Sequence, residues 1–254
     1  MTIVCYLLRI CKVLPARDVG SPTSGSADAK WSLVADQQTG RFSLDHNNLA
    51  RVYDFYARTY DKTFGKVFRE SREHAIRNLQ VRPGERVLEV GVGTGVSLPL
   101  YPRDTQIVGI DYSRGMLEQA ERRVADERLG NVQLIHMDAC NMAFPDSSFD
   151  LVLAAYVLTA VPDHRTVMSE MVRVCKPGGR IVFLNHLVNG NKVLAFFERL
   201  VSPACEKIGF RTDLALHHIV EGMPVTVRSE QRVKPLRMWR LVECINDKRL
   251  AAAI

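Results

Sequence analysis

The chain has 254 residues, 46% of them hydrophobic, which is enough for one α/β domain with a sizeable core. Its net charge of +6 is a mild excess that fits either a solvated basic surface or an anionic partner. The six cysteines have neither metal-ligand nor redox-motif spacing, which indicates reduced thiols in an intracellular protein. The N-terminal apolar run lacks a signal-peptide pattern, and no segment is long and apolar enough to span a bilayer, so we expect a soluble or peripheral protein.

The N-terminal part divides into two predicted segments. Residues 1–41 are predicted to form a flexible tail, because Gly, Ser, Pro, Asp and Ala dominate residues 15–40 without periodicity. Residues 42–80 are predicted to be helical, with Gly65 as a candidate break between two helices. Eight basic and four acidic residues lie between Arg51 and Arg82, so this segment carries much of the excess positive charge. One helical stripe of this segment is apolar and aromatic: Leu49, Val52, Tyr53, Tyr56 and Tyr60.

From residue 81 to residue 254, short apolar runs alternate with helical patterns. Ser113 is a predicted N-cap, and "KPGG" at residues 176–179 is a predicted helix stop before a strand. Such alternation predicts a parallel sheet with helices on both faces. Two closing runs, "VTVRSEQRVKP" and "MWRLVECIN", are predicted to pair antiparallel. The five preceding strand candidates are Arg86–Val90, Gln106–Ile110, Val132–His136, Phe149–Leu153 and Arg180–Leu184.

A glycine loop, Gly91-Val92-Gly93-Thr94-Gly95, follows the first of these strands and precedes a predicted helix. Glycines let the backbone approach a ligand, and a helix that follows offers free N–H groups. Asp111, at the end of the next strand, suits ribose hydroxyls. A nicotinamide fingerprint, G-x-G-x-x-G, would have its third glycine at position 96, which is Val96 here. The loop therefore predicts a nucleotide cofactor of another kind; the alternative is a tight turn followed by a helix cap.

The order of motifs resembles that of the class I S-adenosylmethionine-dependent methyltransferases. The matching stretches are "VLEVGVGTG", "FDLVLAAYVL" and "CKPGG", between residues 81 and 184. The resemblance implies a Rossmann-like α/β fold: a doubly wound, mostly parallel seven-stranded sheet with an antiparallel strand near the C-terminus. It also implies S-adenosyl-L-methionine as cofactor and S-adenosyl-L-homocysteine as product.

The resemblance further implies a cofactor site in two parts. Asp111 would hold the ribose hydroxyls, Asp138 would bind the exocyclic amine of adenine, and Glu89 would act on the amino group directly or through water. The part that faces the methionine and ribose comprises Glu89, Gly91, Gly93, Gly95 and Asp111. The part that faces the adenine and the sulfonium comprises Tyr112, Met116, Asp138, Ala139, Ala155 and Tyr156.

Three stretches outside this core resemble the bacterial phosphatidylethanolamine N-methyltransferases. They are "VYDFYARTYDKTFGKVF" at residues 52–68, "FLNHLVNG" at residues 183–190 and "GFRTD" at residues 209–213. The resemblance implies methylation of the head-group amine of phosphatidylethanolamine, with successive transfers up to phosphatidylcholine left open. His186 would accept the amine proton, Tyr53 and Tyr60 would close over the site, and Asn185 and Arg211 would bind the substrate.

A phospholipid acceptor implies contact with an anionic membrane surface. Residues 42–80 would serve as a helical lid and membrane-contact segment, and the apolar and basic stretch after Asn191 is a second candidate contact. The expected place is the cytoplasm, at the inner face of the cell membrane, with neither a nucleic-acid partner nor a metal. The alternatives are a methyltransferase of a quinone precursor or another small lipophilic acceptor, a binding protein without catalysis and a nucleic-acid methyltransferase.

Overall fold

A computed structural model describes residues 66–187, 214–233 and 239–249, with side chains from Glu70 onward. The predicted tail at residues 1–41 and most of the predicted lid lie outside these residues. The described elements, in chain order, are α1 Lys66–Asn78, β1 Arg86–Val90, a 3₁₀ turn Leu98–Leu100, β2 Gln106–Asp111, α2 Arg114–Asp126, β3 Val132–His136, β4 Phe149–Ala155, α3 His164–Val174, β5 Cys175–His186, α4 Leu216–Val220, β6 Val225–Val233 and β7 Trp239–Asn246.

The seven strands form one sheet in the order β3-β2-β1-β4-β5-β7-β6. Strands β1 to β5 pair parallel with their neighbours, whereas β7 runs antiparallel to both β5 and β6. This confirms the predicted fold class and the antiparallel pairing of the two closing strands. The central strand β1 is buried at four of its five residues, as expected for a parallel strand covered on both faces.

Strand order reverses between β1 and β4. The chain moves outward from β1 to β2 and β3, then returns to place β4 on the other side of β1 and continues to β5. Because parallel crossovers are right-handed, α2 and α3 lie on opposite faces of the sheet. Open α/β sheets bind ligands at the carboxyl ends of their strands where the order reverses. In this chain that point lies just beyond Val90 and Ala155.

Helix α1 begins directly after Gly65, the predicted break, and lies along the sheet. Its apolar residues Ala75 and Ile76 are almost completely buried. Just after the C-terminal end of the helix, the Leu79 carbonyl accepts a hydrogen bond from the Arg180 guanidinium. Arg180 pairs with β4 near the residues where β1 and β4 begin. Earlier in the helix, the Ser71 hydroxyl bonds that of Tyr156, just beyond the carboxyl end of β4. Helix α1 therefore runs from the carboxyl edge of the sheet toward its amino edge.

The segment after the glycine loop differs from its prediction. Instead of a helix, it contains only the single 3₁₀ turn Leu98–Leu100 before β2. Pro102 explains the early end, because it has no N–H to donate and pushes the preceding Tyr101 into an extended conformation, with φ −78° and ψ 148°. The predicted set of helix N–H groups is therefore wrong for this loop, and a ligand has to be bound by other groups.

One further local prediction changes. "KPGG" lies within β5, which begins at Cys175, and the pairing with β4 shifts register between Phe149 and Leu151. Gly178 takes a φ of +70° there, so this stretch is an irregular strand rather than a turn. The preceding helix α3 begins at His164, and its N-cap is Asp163.

The three described cysteines are free thiols, as predicted. Burial raises the pKa of Cys175 and of Cys244 to about 12, and that of Cys140 to about 11. All three are therefore protonated near neutral pH. Cys5, Cys11 and Cys205 lie outside the described residues.

Candidate active site

The three glycines of the loop all have a positive φ, but they serve different purposes. A Cβ at Gly91 would lie 2.3 Å from the nearest Val157 methyl carbon, and one at Gly95 would lie 2.8 Å from a Leu98 methyl carbon. These two positions are glycine because the protein itself packs there. A Cβ at Gly93, in contrast, would meet no protein atom within 4 Å. Gly93 therefore faces open space into which a ligand can approach the backbone.

Asp111 ties the loop to the end of β2. Its Oδ2 accepts the Gly93 N–H at 2.8 Å, and its Oδ1 accepts the Ser113 N–H at 2.9 Å. Burial raises the pKa of Asp111, while these two N–H groups and the nearby Arg72 favour the charged form. Each carboxylate oxygen has a second lone pair, so ribose binding remains compatible with this arrangement. The ribose role stays a prediction.

Glu89 is completely buried beneath the loop. Its two carboxylate oxygens accept hydrogen bonds from the Ser97 hydroxyl and, at 3.0 Å, from the Tyr101 hydroxyl. Burial raises the pKa of Glu89, and Ser97, Arg72 and Tyr101 each oppose that rise. Ser97, two residues after the last glycine of the loop, thus supplies a side chain that binds the acid. Sequence reasoning assigned no contact with Glu89 to Ser97 and did not find Tyr101.

Tyr112 stands exposed at the end of β2, on the predicted adenine side. Its ring stacks on that of His136, with centroids 5.8 Å apart and 24° between planes, and His136 Nε2 lies 2.9 Å from the Tyr112 carbonyl oxygen. Met116 is buried below, in the first turn of α2, where its N–H bonds the Ser113 hydroxyl at 3.1 Å. This confirms Ser113 as the N-cap and adds His136, which the sequence did not indicate.

Asp138 and Ala139 follow β3 at the same edge of the sheet, and both are half-buried. The Asp138 carboxylate accepts the Cys140 N–H at 2.8 Å, which fixes the start of the loop. The structure thus brings the predicted adenine-side residues Tyr112, Met116, Asp138 and Ala139 to neighbouring strand ends. Their contacts with adenine stay predictions.

Tyr156, directly after β4, is held by contacts that the sequence did not predict. Its φ is +67°, and its N–H bonds the Leu184 carbonyl at 2.7 Å. Its hydroxyl bonds that of Ser71, and its ring meets Trp239 edge-on with centroids 6.0 Å apart. The Arg72 guanidinium carbon lies 5.4 Å from the centre of the ring. Ala155 is almost fully buried beside it. Because these partners come from α1 and β7, no local sequence pattern could reveal them.

The predicted pair Asn185 and His186 is divided between the two faces of β5, since successive side chains of a strand point in opposite directions. Asn185 is completely buried, and its amide bonds the Thr159 hydroxyl at 2.8 Å. His186 is half-buried, pairs in register with Trp239 and thus shares its face. Their substrate roles stay predictions. The other three predicted site residues, Tyr53, Tyr60 and Arg211, lie outside the described residues.

Comparison with known proteins identifies the chemistry of this site. Residues 88–183, which span the glycine loop and the ends of β2 to β4, match the family described as "Methyltransferase domain". A phosphatidylethanolamine N-methyltransferase of Cereibacter sphaeroides is 37% identical over 193 residues, covering 76% of this chain and 94% of that protein. The chain belongs to the S-adenosylmethionine-dependent methyltransferases. Its cofactor is S-adenosylmethionine, and the predicted resemblance is confirmed.

Two further comparisons bear on acceptor and fold. A demethylmenaquinone methyltransferase of Geobacillus sp. (strain WCH70) is 32% identical over 172 residues, which cover 64% of the present chain and 73% of the Geobacillus protein. The crystal structure of a SAM-dependent methyltransferase from Aquifex aeolicus superposes on this chain with a TM-score of 0.56 and 17% identity. The match covers 79% of this chain and 98% of the Aquifex chain. The first leaves the acceptor class open, and the second supports the fold alone.

The described residues fit the cofactor. Gly93 offers open backbone, Asp111 offers a carboxylate at the end of β2, and Tyr112 offers an exposed ring next to it. These groups lie where the strand order reverses, which is where such sheets bind nucleotides. Gly93, Asp111 and Tyr112 thus follow or end neighbouring strands, and their contacts with the cofactor stay predictions.

Proposed function

We propose that this methyltransferase acts on the head-group amine of phosphatidylethanolamine. The observation that carries the proposal is the extent of the similarity: the phosphatidylethanolamine N-methyltransferase of C. sphaeroides is matched over 94% of its length, well beyond the shared methyltransferase region. The demethylmenaquinone methyltransferase from Geobacillus is matched over 73%. An acceptor-specific relationship would extend outside the cofactor-binding region in this way.

When bound, S-adenosylmethionine supplies an activated methyl group, so the protein has to position the acceptor and exclude water. An amine attacks only when it is neutral, and its proton must be accepted by a nearby base. His186 is suited to this role, because it is half-buried at the carboxyl end of β5 and shares a face with Trp239. Trp239 in turn contacts Tyr156, next to the glycine loop at the β1–β4 boundary.

The aromatic side chains near His186 suit a nitrogen that gains methyl groups. Each transfer makes the cationic nitrogen less hydrated, and the third makes its charge permanent; such groups are attracted to aromatic rings. Trp239 and Tyr156 form an edge-to-face pair at this end of the sheet. Tyr53 and Tyr60 are proposed to add to this set from the preceding segment.

The acceptor is tested by incubating the purified full chain with labelled S-adenosylmethionine and vesicles of two kinds. One contains phosphatidylethanolamine, and the other contains demethylmenaquinone in a phosphatidylcholine bilayer. We expect label in mono-, di- or trimethylated phosphatidylethanolamine and none in the quinone. Label in menaquinone only would overturn the phospholipid assignment.

Demethylmenaquinone is the second candidate acceptor. Several relatives with 32–36% identity favour it, because they are named demethylmenaquinone methyltransferase. The cofactor region is common to both classes of enzyme, so it cannot separate them. Both acceptors are lipophilic, and the two-vesicle assay decides between them by product rather than by membrane binding.

A phospholipid acceptor requires the enzyme to reach a membrane surface. Among the described residues, no helix combines the length and the apolar character needed to cross a bilayer. We propose peripheral association with the inner face of the cell membrane. Residues 51–82, with eight basic and four acidic residues, are the proposed contact, since each Lys or Arg near an anionic surface contributes about 1 kcal/mol.

The protein is expected to bind anionic vesicles more tightly than neutral ones, with a preference that weakens as salt rises. Replacing Lys62, Lys66 and Arg69 with Glu should weaken this binding without changing the affinity for S-adenosylhomocysteine. Sedimentation with vesicles of increasing anionic lipid content, at low and high salt, measures the effect.

A matched control applies the same change of charge to exposed residues on other surfaces, Arg122, Arg128 and Arg228. Equal weakening by both triple variants would show that only the net charge matters. Equal binding to neutral and anionic vesicles would remove the basic segment as a membrane contact.

A further inference from the structure

Arg72 is a buried cation that the residues described so far do not explain. It lies in the first half of α1 and is only 5% exposed. Its Nε is completely buried and has no hydrogen-bond partner. A buried guanidinium N–H without a partner is costly, because it has lost its hydrogen bond to water.

The position of Arg72 is defined by three neighbours. Its guanidinium carbon lies 5.4 Å from the centre of the Tyr156 ring, whose hydroxyl is bonded to the adjacent Ser71. Burial raises the pKa of Glu89 and that of Asp111, on either side of the glycine loop, and the positive charge of Arg72 opposes both rises. Because Val157, the residue after Tyr156, packs against Gly91, the guanidinium lies near the glycine loop, where the methionine part of the cofactor is predicted.

Glu89 and Asp111 do not satisfy this guanidinium. Glu89 receives the hydroxyl groups of Ser97 and Tyr101, and Asp111 receives the N–H groups of Gly93 and Ser113. Arg72 is thus attracted to two acids at long range, but neither of them, in the described part of the chain, forms a hydrogen bond with it. An anion that enters from the open space next to Gly93 would supply one.

We propose that Arg72 binds the α-carboxylate of S-adenosylmethionine. The methionine part of the cofactor is a zwitterion with one carboxylate and one ammonium group. The loop offers a matching pair of charges, with the buried carboxylate of Glu89 beneath it and Arg72 beside it. A planar guanidinium and a carboxylate form strong, charge-assisted hydrogen bonds. Arg72 lies outside residues 88–183, which match the family, so this contact comes from a separate helix.

The proposal is tested by calorimetric titration with two ligands that differ only in the carboxylate: S-adenosylhomocysteine and its decarboxylated form, S-adenosyl-3-thiopropylamine. In Arg72→Gln, the affinity for S-adenosylhomocysteine should fall about 10- to 100-fold, since the loss of a hydrogen bond to a charged group weakens binding by about that factor. The affinity for the decarboxylated ligand should change by about twofold or less, because that ligand has no carboxylate to lose.

Arg86→Gln is the matched control. Arg86 also places its guanidinium over an aromatic ring, at 4.8 Å from the centre of Phe149, but it lies at the start of β1, away from the loop. It should leave both affinities unchanged. If Arg72→Gln does not fold, Arg72→Lys keeps the charge and should still lose more affinity for S-adenosylhomocysteine than for the decarboxylated ligand.

Two results would overturn the proposal. Equal losses for both ligands would show that Arg72 only balances the charge of Glu89 and Asp111. Unchanged affinity for both ligands would mean that the guanidinium serves another anion, of which the acceptor phosphate is the first to test, by measuring KM for phosphatidylethanolamine in the same variant.

Discussion

Replacing Gly93 with valine is expected to abolish binding of S-adenosylhomocysteine while the chain still folds. At Gly93 a Cβ would meet no protein atom within 4 Å, so valine would occupy the space left for the ligand. The positive φ of 58° adds backbone strain, with a loss of about 1–3 kcal/mol in the free energy of unfolding. Calorimetric titration measures the affinity, and chemical denaturation measures the stability.

Gly84→Val separates ligand exclusion from strain. Gly84 has a φ of +80° and, like Gly93, would place a Cβ in contact with no protein atom, but it lies in the turn before β1. Both variants should lose similar stability, and only Gly93→Val should lose binding. Asp111→Ala should also abolish binding, because it removes the proposed ribose acceptor and leaves the Gly93 N–H without its partner. Unchanged affinity in Gly93→Val and Asp111→Ala would show that this loop does not hold the cofactor.

Replacing His186 with alanine is expected to lower turnover on phosphatidylethanolamine by about 100-fold or more, because proton transfer by a positioned side chain has that value. The affinity for S-adenosylhomocysteine should stay close to that of the wild type, since the described cofactor residues come from other strand ends. Product formation with phosphatidylethanolamine vesicles gives the turnover, and calorimetry gives the affinity.

His218→Ala is the control, because His218 is an exposed histidine in α4. It should leave turnover unchanged. If turnover in His186→Ala stays within about threefold of the wild type, a difference under about 1 kcal/mol, then His186 is not the proton acceptor. Tyr53 and Tyr60 would then be the next residues to replace.

The central strands could be predicted from the sequence because they are continuous apolar runs between clear turns. Strands β1 and β3 have the predicted bounds, and β2 and β4 are longer by one and two residues. Buried parallel strands show this pattern most clearly. The cofactor loop was recognisable for a similar reason, since closely spaced glycines after such a strand have few other uses.

The parts that could not be predicted depend on contacts between distant residues. Strand β5 starts at Cys175 instead of Arg180, because β4 accepts an irregular pairing over "KPGG". The partners of Tyr156 come from 85 residues earlier, at Ser71, and from β7, at Trp239. The 3₁₀ turn was missed because glycine-loop motifs suggest a helix. Here Pro102 holds the preceding Tyr101 in an extended conformation, so the helical turn ends before β2 after three residues.

Helix α1 precedes the residues that match the family, yet Arg180 and Tyr156 bind it near the two opposite edges of the sheet. A chain cut back to the matched residues would expose the surface that Ala75, Ile76 and Leu79 now cover, and Tyr156 would lose two of its neighbours. The smallest segment that can be exchanged among relatives is therefore larger than the family-matched residues 88–183, because it includes helix α1. Chimeras built to transplant acceptor preference should carry this helix together with the sheet on which it packs.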